Sequence, residues 1–176
     1  PGWTHWLGTD ALGRDVLSRL MRATNAFVLP GFGAAAIAVG TGTGLGALAG
    51  WRGGWVERAL AAVSGLPATA PRFILVLLLA TIFSPSSTVL AVGCGVAFVP
   101  LVSAEVRVRV STMRRMSFVR ASLIHGLSVW QVLGHHILWS ACRRVLVRMS
   151  LQAAGFFVVV ETSLAYLGDL GVQEPL

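Results

Sequence analysis

The sequence contains no lysine; its fourteen basic residues are all arginines. Charged residues make up 12% of the 176, half the roughly 25% of a soluble domain. That shortage argues against a cytoplasmic globular enzyme. The 55% hydrophobic content excludes a disordered tail, which needs the opposite balance. A formal net charge of +7 would by itself suggest a nucleic-acid ligand. In so apolar a chain it fits a membrane protein better, provided the arginines gather on one side of the bilayer. Two cysteines, Cys94 and Cys142, are too few for a disulfide framework. Each sits in or beside an apolar run, where a free thiol behaves as a small hydrophobe. The first residue is proline and no signal peptide is visible, so the chain reads as processed or as a piece of a longer one.

What is present is a set of long uncharged runs. Crossing a hydrocarbon core of about 30 Å takes about 20 residues in a helix. Between Arg22 and Arg52 no charge occurs for 29 positions. Four spans are predicted, at about 25–50, 59–83, 86–106 and 145–167. The second contains Pro67, Pro71 and Arg72, and the turn cluster Ser84-Pro85-Ser86-Ser87 separates it from the third. A polar stretch at about 107–144 is too long for a simple connection between helices. The expected fold is therefore all-α and polytopic, with residues 1–24 outside the core and 25–176 forming it.

Four crossings place both ends of the chain on one side. The connections at 51–58 and 105–148 hold ten arginines against two acids. The opposite side holds Arg14, Arg19 and Arg22 against Asp10, Asp15, Asp169 and Glu174. An excess of arginine marks the cytoplasmic side, so the long loop is expected inside and both ends outside. An external start without a signal implies at least one further span upstream.

Small residues recur as Ala38-x3-Gly42-x3-Gly46-x3-Gly50 on one helical face. In lipid such a face lets two backbones approach closely, although glycine is also ordinary in membrane helices. The same glycines do not make a phosphate-cradling loop, because no strand precedes them and no lysine exists to meet a phosphate. In the polar stretch, Met113, Met116, Val119, Leu123 and Ile124 recur at helical spacing. Gly126 interrupts them, and Ser128 is placed to cap a second short helix through about Leu138. The pair makes a compact elbow; a basic helix lying on anionic lipid is the other reading.

These residues carry a resemblance. Val119-Arg120-Ala121-Ser122-x3-Gly126-x10-Ile137-Leu138 resembles the EAA loop of binding-protein-dependent ABC importer permeases. Gly8-Thr9-Asp10-Ala11-Leu12-Gly13-Arg14-Asp15, with Ser18 and Arg19, resembles the GTDxxGRDxxSR segment of the peptide/nickel subfamily. The stretch Glu161-Thr162-Ser163-Leu164-Ala165-Tyr166-Leu167-Gly168 and the later Gly171-Val172-Gln173 match that subfamily in order. The resemblance implies a six-span permease subunit, here from after its first helix to before its last. It further implies alternating access for peptides, nickel or related small solutes in a bacterial or archaeal inner membrane. The implied partners are two ATPase subunits, which hold the ATP and magnesium, a homologous permease and an extracytoplasmic substrate-binding protein. The chain itself would bind no cofactor and catalyse no reaction. Arg120, Ala121, Ser122, Gly126, Ile137 and Leu138 would couple to the ATPase. Gly8, Thr9, Asp10, Gly13, Arg14 and Asp15 would lie on the extracytoplasmic surface, toward the binding protein.

Departures from the pattern are specific. The loop's glutamate is Arg120, its second alanine is Ser122, and Trp139 replaces the proline after Leu138. Of the charges inside predicted spans, two stand out. Arg72 sits about 18 Å below the outer boundary by helical rise, where an arginine costs at least about 2.5 kcal/mol unless it finds a cavity, a partner or the interface. Glu161 lies near the outer end of the last span. Both are candidate pathway residues, with snorkelling and interhelical bonding as the alternatives. If residues 10–19 are helical, Asp10, Arg14, Asp15 and Arg19 permit i,i+4 pairs.

Other chemistries fit poorly. The four histidines do not assemble a metal site: His135 and His136 are adjacent, and His5 lies across the membrane from His125. An intramembrane hydrolase needs a nucleophile and base at one depth, and no histidine lies within the four spans. A small channel or scaffold without ATPase coupling is the remaining alternative.

Overall fold

A computed structural model describes residues 6–10, 13–69, 72–82 and 86–167. From Val16 onward the described residues are almost all helical. The helices are α1 (Val16–Arg52), α2 (Gly54–Thr69), α3 (Arg72–Ile82), α4 (Ser87–Arg114), α5 (Ser117–Ile124), α6 (Val129–Gln131) and α7 (Arg143–Leu167). A π-helical segment, Val132–Cys142, joins α6 to α7 without a break. Among the described residues three helical stretches are long and apolar enough to cross a membrane: Val16–Arg52, Ser87–Arg114 and Val129–Leu164.

The predicted second span falls in two described stretches, α2 of 16 residues and α3 of 11; Ala70 and Pro71 between them lie outside the described residues. The two return along α4. Ser64 Oγ lies 3.2 Å from Ser103 Oγ, the Arg72 guanidinium stacks over the Phe98 ring, and Leu79 reaches Gly93. Rising numbers on α2–α3 meet falling numbers on α4, so the two run antiparallel.

α1 and α4 run parallel, and glycine is the reason they can touch. A Cβ on Gly42 would lie 2.7 Å from Val102 Cβ, and one on Gly46 would lie 2.5 Å from the Ser103 carbonyl oxygen. One on Gly50 would meet the Arg107 carbonyl at 2.7 Å. From the other side, Gly95 of α4 faces the Ala34 carbonyl, 2.9 Å from where its Cβ would stand. The ladder of small residues is thus a backbone-to-backbone seam. By contrast Gly33, Gly40 and Gly44 have nothing within 4 Å.

α7 completes the core with Val145, Met149, Ala153, Phe157, Val160 and Leu164, all buried at three- and four-residue spacing. They pack on the buried Phe98, Val102, Val106 and Val110 of α4 and on the alanines of α1. Large apolar side chains point the other way: Leu29, Ile74, Leu151 and Val159 are exposed. Small residues inside and large apolar ones outside suit a hydrocarbon solvent. Cys94 and Cys142 are buried free thiols.

Two further differences from expectation concern helix ends. α1 begins at Val16, nine residues before the predicted start of the first span. The second elbow helix does not stop near Leu138, because nothing there breaks it. Winding passes from α to π at Val132 and back at Arg143, so the second helix of the elbow and α7 are one continuous helix.

Candidate functional site

The elbow is built by two local signals. After α5, the Leu127 amide donates to the Ser122 carbonyl at 3.2 Å and the Gly126 amide to the Leu123 carbonyl at 3.1 Å. This is the Schellman pattern, which needs a left-handed residue at the position Gly126 occupies; its φ is +87°. Two residues on, the Ser128 side chain accepts from the Gln131 amide and the Gln131 side chain accepts from the Ser128 amide. That reciprocal capping box fixes the entry into α6.

One face of the elbow is anchored: Val119, Val132, Leu133 and Ile137 are buried in the core. The other is apolar and open, with Ile124 84% and Trp130 78% exposed. Exposed apolar patches of this kind mark interaction surfaces. Of the residues assigned to coupling, Arg120, Ala121 and Gly126 are exposed, Ser122 and Leu138 are half-buried, and Ile137 is fully enclosed. Ser122 Oγ donates within its own helix, to the Phe118 carbonyl. Trp139 is exposed and the Arg143 guanidinium lies 5.8 Å from its ring centroid.

At the opposite end of the bundle, residues 6–10 and 13–15 are not helical. Gly8 and Gly13 have φ of +79° and +74°, which a helix does not accommodate. Thr9 and Asp15 make an antiparallel bridge. Asp10 clasps the turn: its Oδ1 accepts from the Arg14 amide at 2.9 Å and its Oδ2 from the Arg19 guanidinium at 2.6 Å. Asp15 caps α1 by accepting from the Ser18 amide at 3.0 Å and from the Ser18 hydroxyl. An Asp followed three residues later by Ser, ahead of an apolar run, was a legible N-cap. Of this segment, His5, Ala11 and Leu12 lie outside the described residues.

Beside this clasp is a cavity of about 860 Å³, bounded by Arg14, Arg19, Arg22, Ser87 and Glu161 among others. Glu161 is buried, and its Oε1 accepts from Ser87 Oγ at 2.8 Å. The carboxylate therefore both ties α7 to α4 and borders the cavity. Ser87 gave no sequence signal for this role, since its partner is 74 positions away.

A second cavity, of about 420 Å³, lies between α3, α4 and α7. Arg72 borders it, half-buried, with its guanidinium carbon 4.9 Å from the Phe98 ring centroid. Placed against α4, Arg72 is level with a residue about 16 Å from the Ser87 end by helical rise, near the middle of the core. Glu105, Arg148 and Gln152 also border this cavity; spacing alone did not bring them together. Gly168, Asp169, Gly171-Val172-Gln173 and Glu174 lie outside the described residues, as do Ser84 and Pro85.

The sequence profile of the binding-protein-dependent transport system inner membrane component matches residues 42–173. An oligopeptide transport system permease protein OppC of Mycobacterium tuberculosis is 31% identical over 99% of this chain, which covers 60% of that protein. A glutathione transport system permease protein GsiD of Pectobacterium atrosepticum is 27% identical over the whole chain, covering 58% of it. A dipeptide transport system permease protein DppC of Alkalihalophilus pseudofirmus is 28% identical, with 57% covered. The chain thus spans somewhat over half the length of these relatives. The match takes in the glycine seam, the elbow and α7, and the chain belongs to the family of binding-protein-dependent transport system inner membrane components.

Proposed function

We propose that this chain supplies the helical core of a permease subunit in an ATP-driven importer of short peptides. The observation that carries the reading is the elbow: an apolar, solvent-facing turn, anchored by Val119 and Ile137 and continuous through the π-helical segment with α7. A partner gripping Ile124 and Trp130 would press on the helix that carries Glu161. Rigid coupling of this kind can bias two packed states against each other. The arginine-rich ends of α1, α4 and the elbow face the cytoplasm on this reading, where two ATPase subunits bind. The clasp at Asp10 faces the opposite side, where a substrate-binding protein delivers cargo, and a second permease subunit completes the path. The relatives named for oligopeptide, dipeptide and glutathione transport support a peptide cargo.

The test is reconstitution. The full-length subunit, its permease partner and ATPases are placed in liposomes with the binding protein outside. Labelled peptide should accumulate only with ATP on the ATPase side. Leakage at equal rates with and without ATP would assign the chain to a channel instead.

A further inference from the structure

The cavity around Arg72 has an unusual lining for its depth. Phe98 lies about 16 Å along α4 from Ser87, and Arg148 about 20 Å along α7 from Glu161, so the cavity sits at or below the middle of a ~30 Å core. Charge is expensive there without a partner or a polar cavity. Arg72 nevertheless makes no ion pair among the described residues, and Glu105 has its carboxylate 3.9 Å from Arg109. The cavity is bordered by two guanidiniums, Arg72 and Arg148, by the Gln152 amide and by one carboxylate, Glu105, which leaves its polar lining with an excess of positive charge. Its other wall is aromatic, with the Phe98 and Phe156 ring centroids 5.3 Å apart. Its volume, about 420 Å³, falls within the range of small-ligand sites.

Guanidinium forks match carboxylates in shape and charge, while the rings accept apolar surface. We infer that Arg72 and Arg148 form a subsite for a carboxylate carried beside an apolar side chain, the chemistry of a peptide's C-terminal end. This rests on the permease reading and names what its path recognises. The Phe98 face holds the Arg72 guanidinium in place by cation–π contact, so the fork is oriented before cargo arrives.

The experiment measures binding of N-terminally dansylated Ala-Phe and of its C-terminal amide to the complete transporter in phosphatidylcholine nanodiscs. The acid should bind about tenfold more tightly than the amide, the scale of a charged hydrogen-bond pair. Arg72→Gln should erase that preference and Arg72→Lys should restore part of it. Arg148→Gln, at an exposed side chain, gives a second reading if Arg72→Gln fails to fold. Equal affinity for acid and amide, or a preference unchanged in the folded variants, would overturn the subsite. The same chemistry could be met by a lipid phosphate. Displacement of the peptide by phosphatidylglycerol, with that lipid retained only when Arg72 is present, would assign the cavity to lipid and also overturn it. ATP-driven uptake separates the two levels. Uptake without acid preference sinks only the subsite, whereas acid preference without ATP-driven uptake sinks only the importer reading.

Discussion

Ser87 Oγ donates a 2.8 Å hydrogen bond to the buried Glu161 carboxylate, joining the first turn of α4 to the far end of α7. A hydrogen bond to a charged group is worth about 1.5–3 kcal/mol. Ser87→Ala should lower stability by that order in equilibrium unfolding from mixed micelles. Glu161→Gln keeps an acceptor oxygen and should cost less than Glu161→Ala. A Ser87→Ala protein as stable as the parent would show that the bond is idle.

The seam between α1 and α4 yields a paired comparison. Gly46→Ala puts a methyl against the Ser103 carbonyl, where backbone cannot give way, and should destabilise by about 1–3 kcal/mol. Gly44→Ala meets open space and removes helix-interior glycine, so it should be neutral or stabilising by up to about 1 kcal/mol. Equal effects at the two positions would remove the seam.

The Asp10 clasp is separable into charge and acceptor. Asp10→Ala removes both bonds, and amide exchange at Arg14 should rise about tenfold, as loss of one net hydrogen bond implies. Asp10→Asn retains a side-chain oxygen for the Arg14 amide and should raise it less. Global stability should hardly move, because the Arg19 pair is half exposed.

Sidedness is tested by thiol labelling. Ser86 and Ser128 are both helix caps, so the neighbouring exposed Thr88 and His125 are the positions for cysteine. Cys94 and Cys142 are buried and give little background. In sealed cells, an impermeant reagent should label the cysteine of Thr88→Cys from outside and leave that of His125→Cys unlabelled. Labelling of His125→Cys alone would reverse the charge-based orientation, and equal labelling of both would overturn the four-span reading.

Gly126→Val forces a β-branched residue to φ +87°, a strain of about 1–3 kcal/mol. In the complete transporter it should reduce peptide uptake about tenfold while ATP hydrolysis and membrane insertion persist. Gly126→Asn, better tolerated in that region, should be intermediate. Full uptake by the valine variant would detach the elbow from coupling.

Much of this architecture was legible because membrane solvent simplifies the code. Uncharged runs located α1, α4 and α7, and the glycine ladder predicted its own contact. Gly126 and Ser128 marked the elbow because each demands a backbone geometry of its own. What escaped notice depended on distant partners or on backbone freedom. Asp10 reaches Arg19, nine positions on, because glycines at 8 and 13 fold the chain back before α1 starts. Nothing local announces that Arg72 and Arg148 share a cavity, or that Ser87 waits for Glu161.

The parallel seam also has a history during synthesis. Gly50 leaves the ribosome about 60 residues ahead of Val110, against which it packs, a delay of roughly 3–12 s at ~5–20 residues per second. Throughout that interval the glycine face of α1 lacks the α4 surface it closes against in the finished fold. A nascent chain stalled between α3 and α4 would therefore hold α1 without its seam partner.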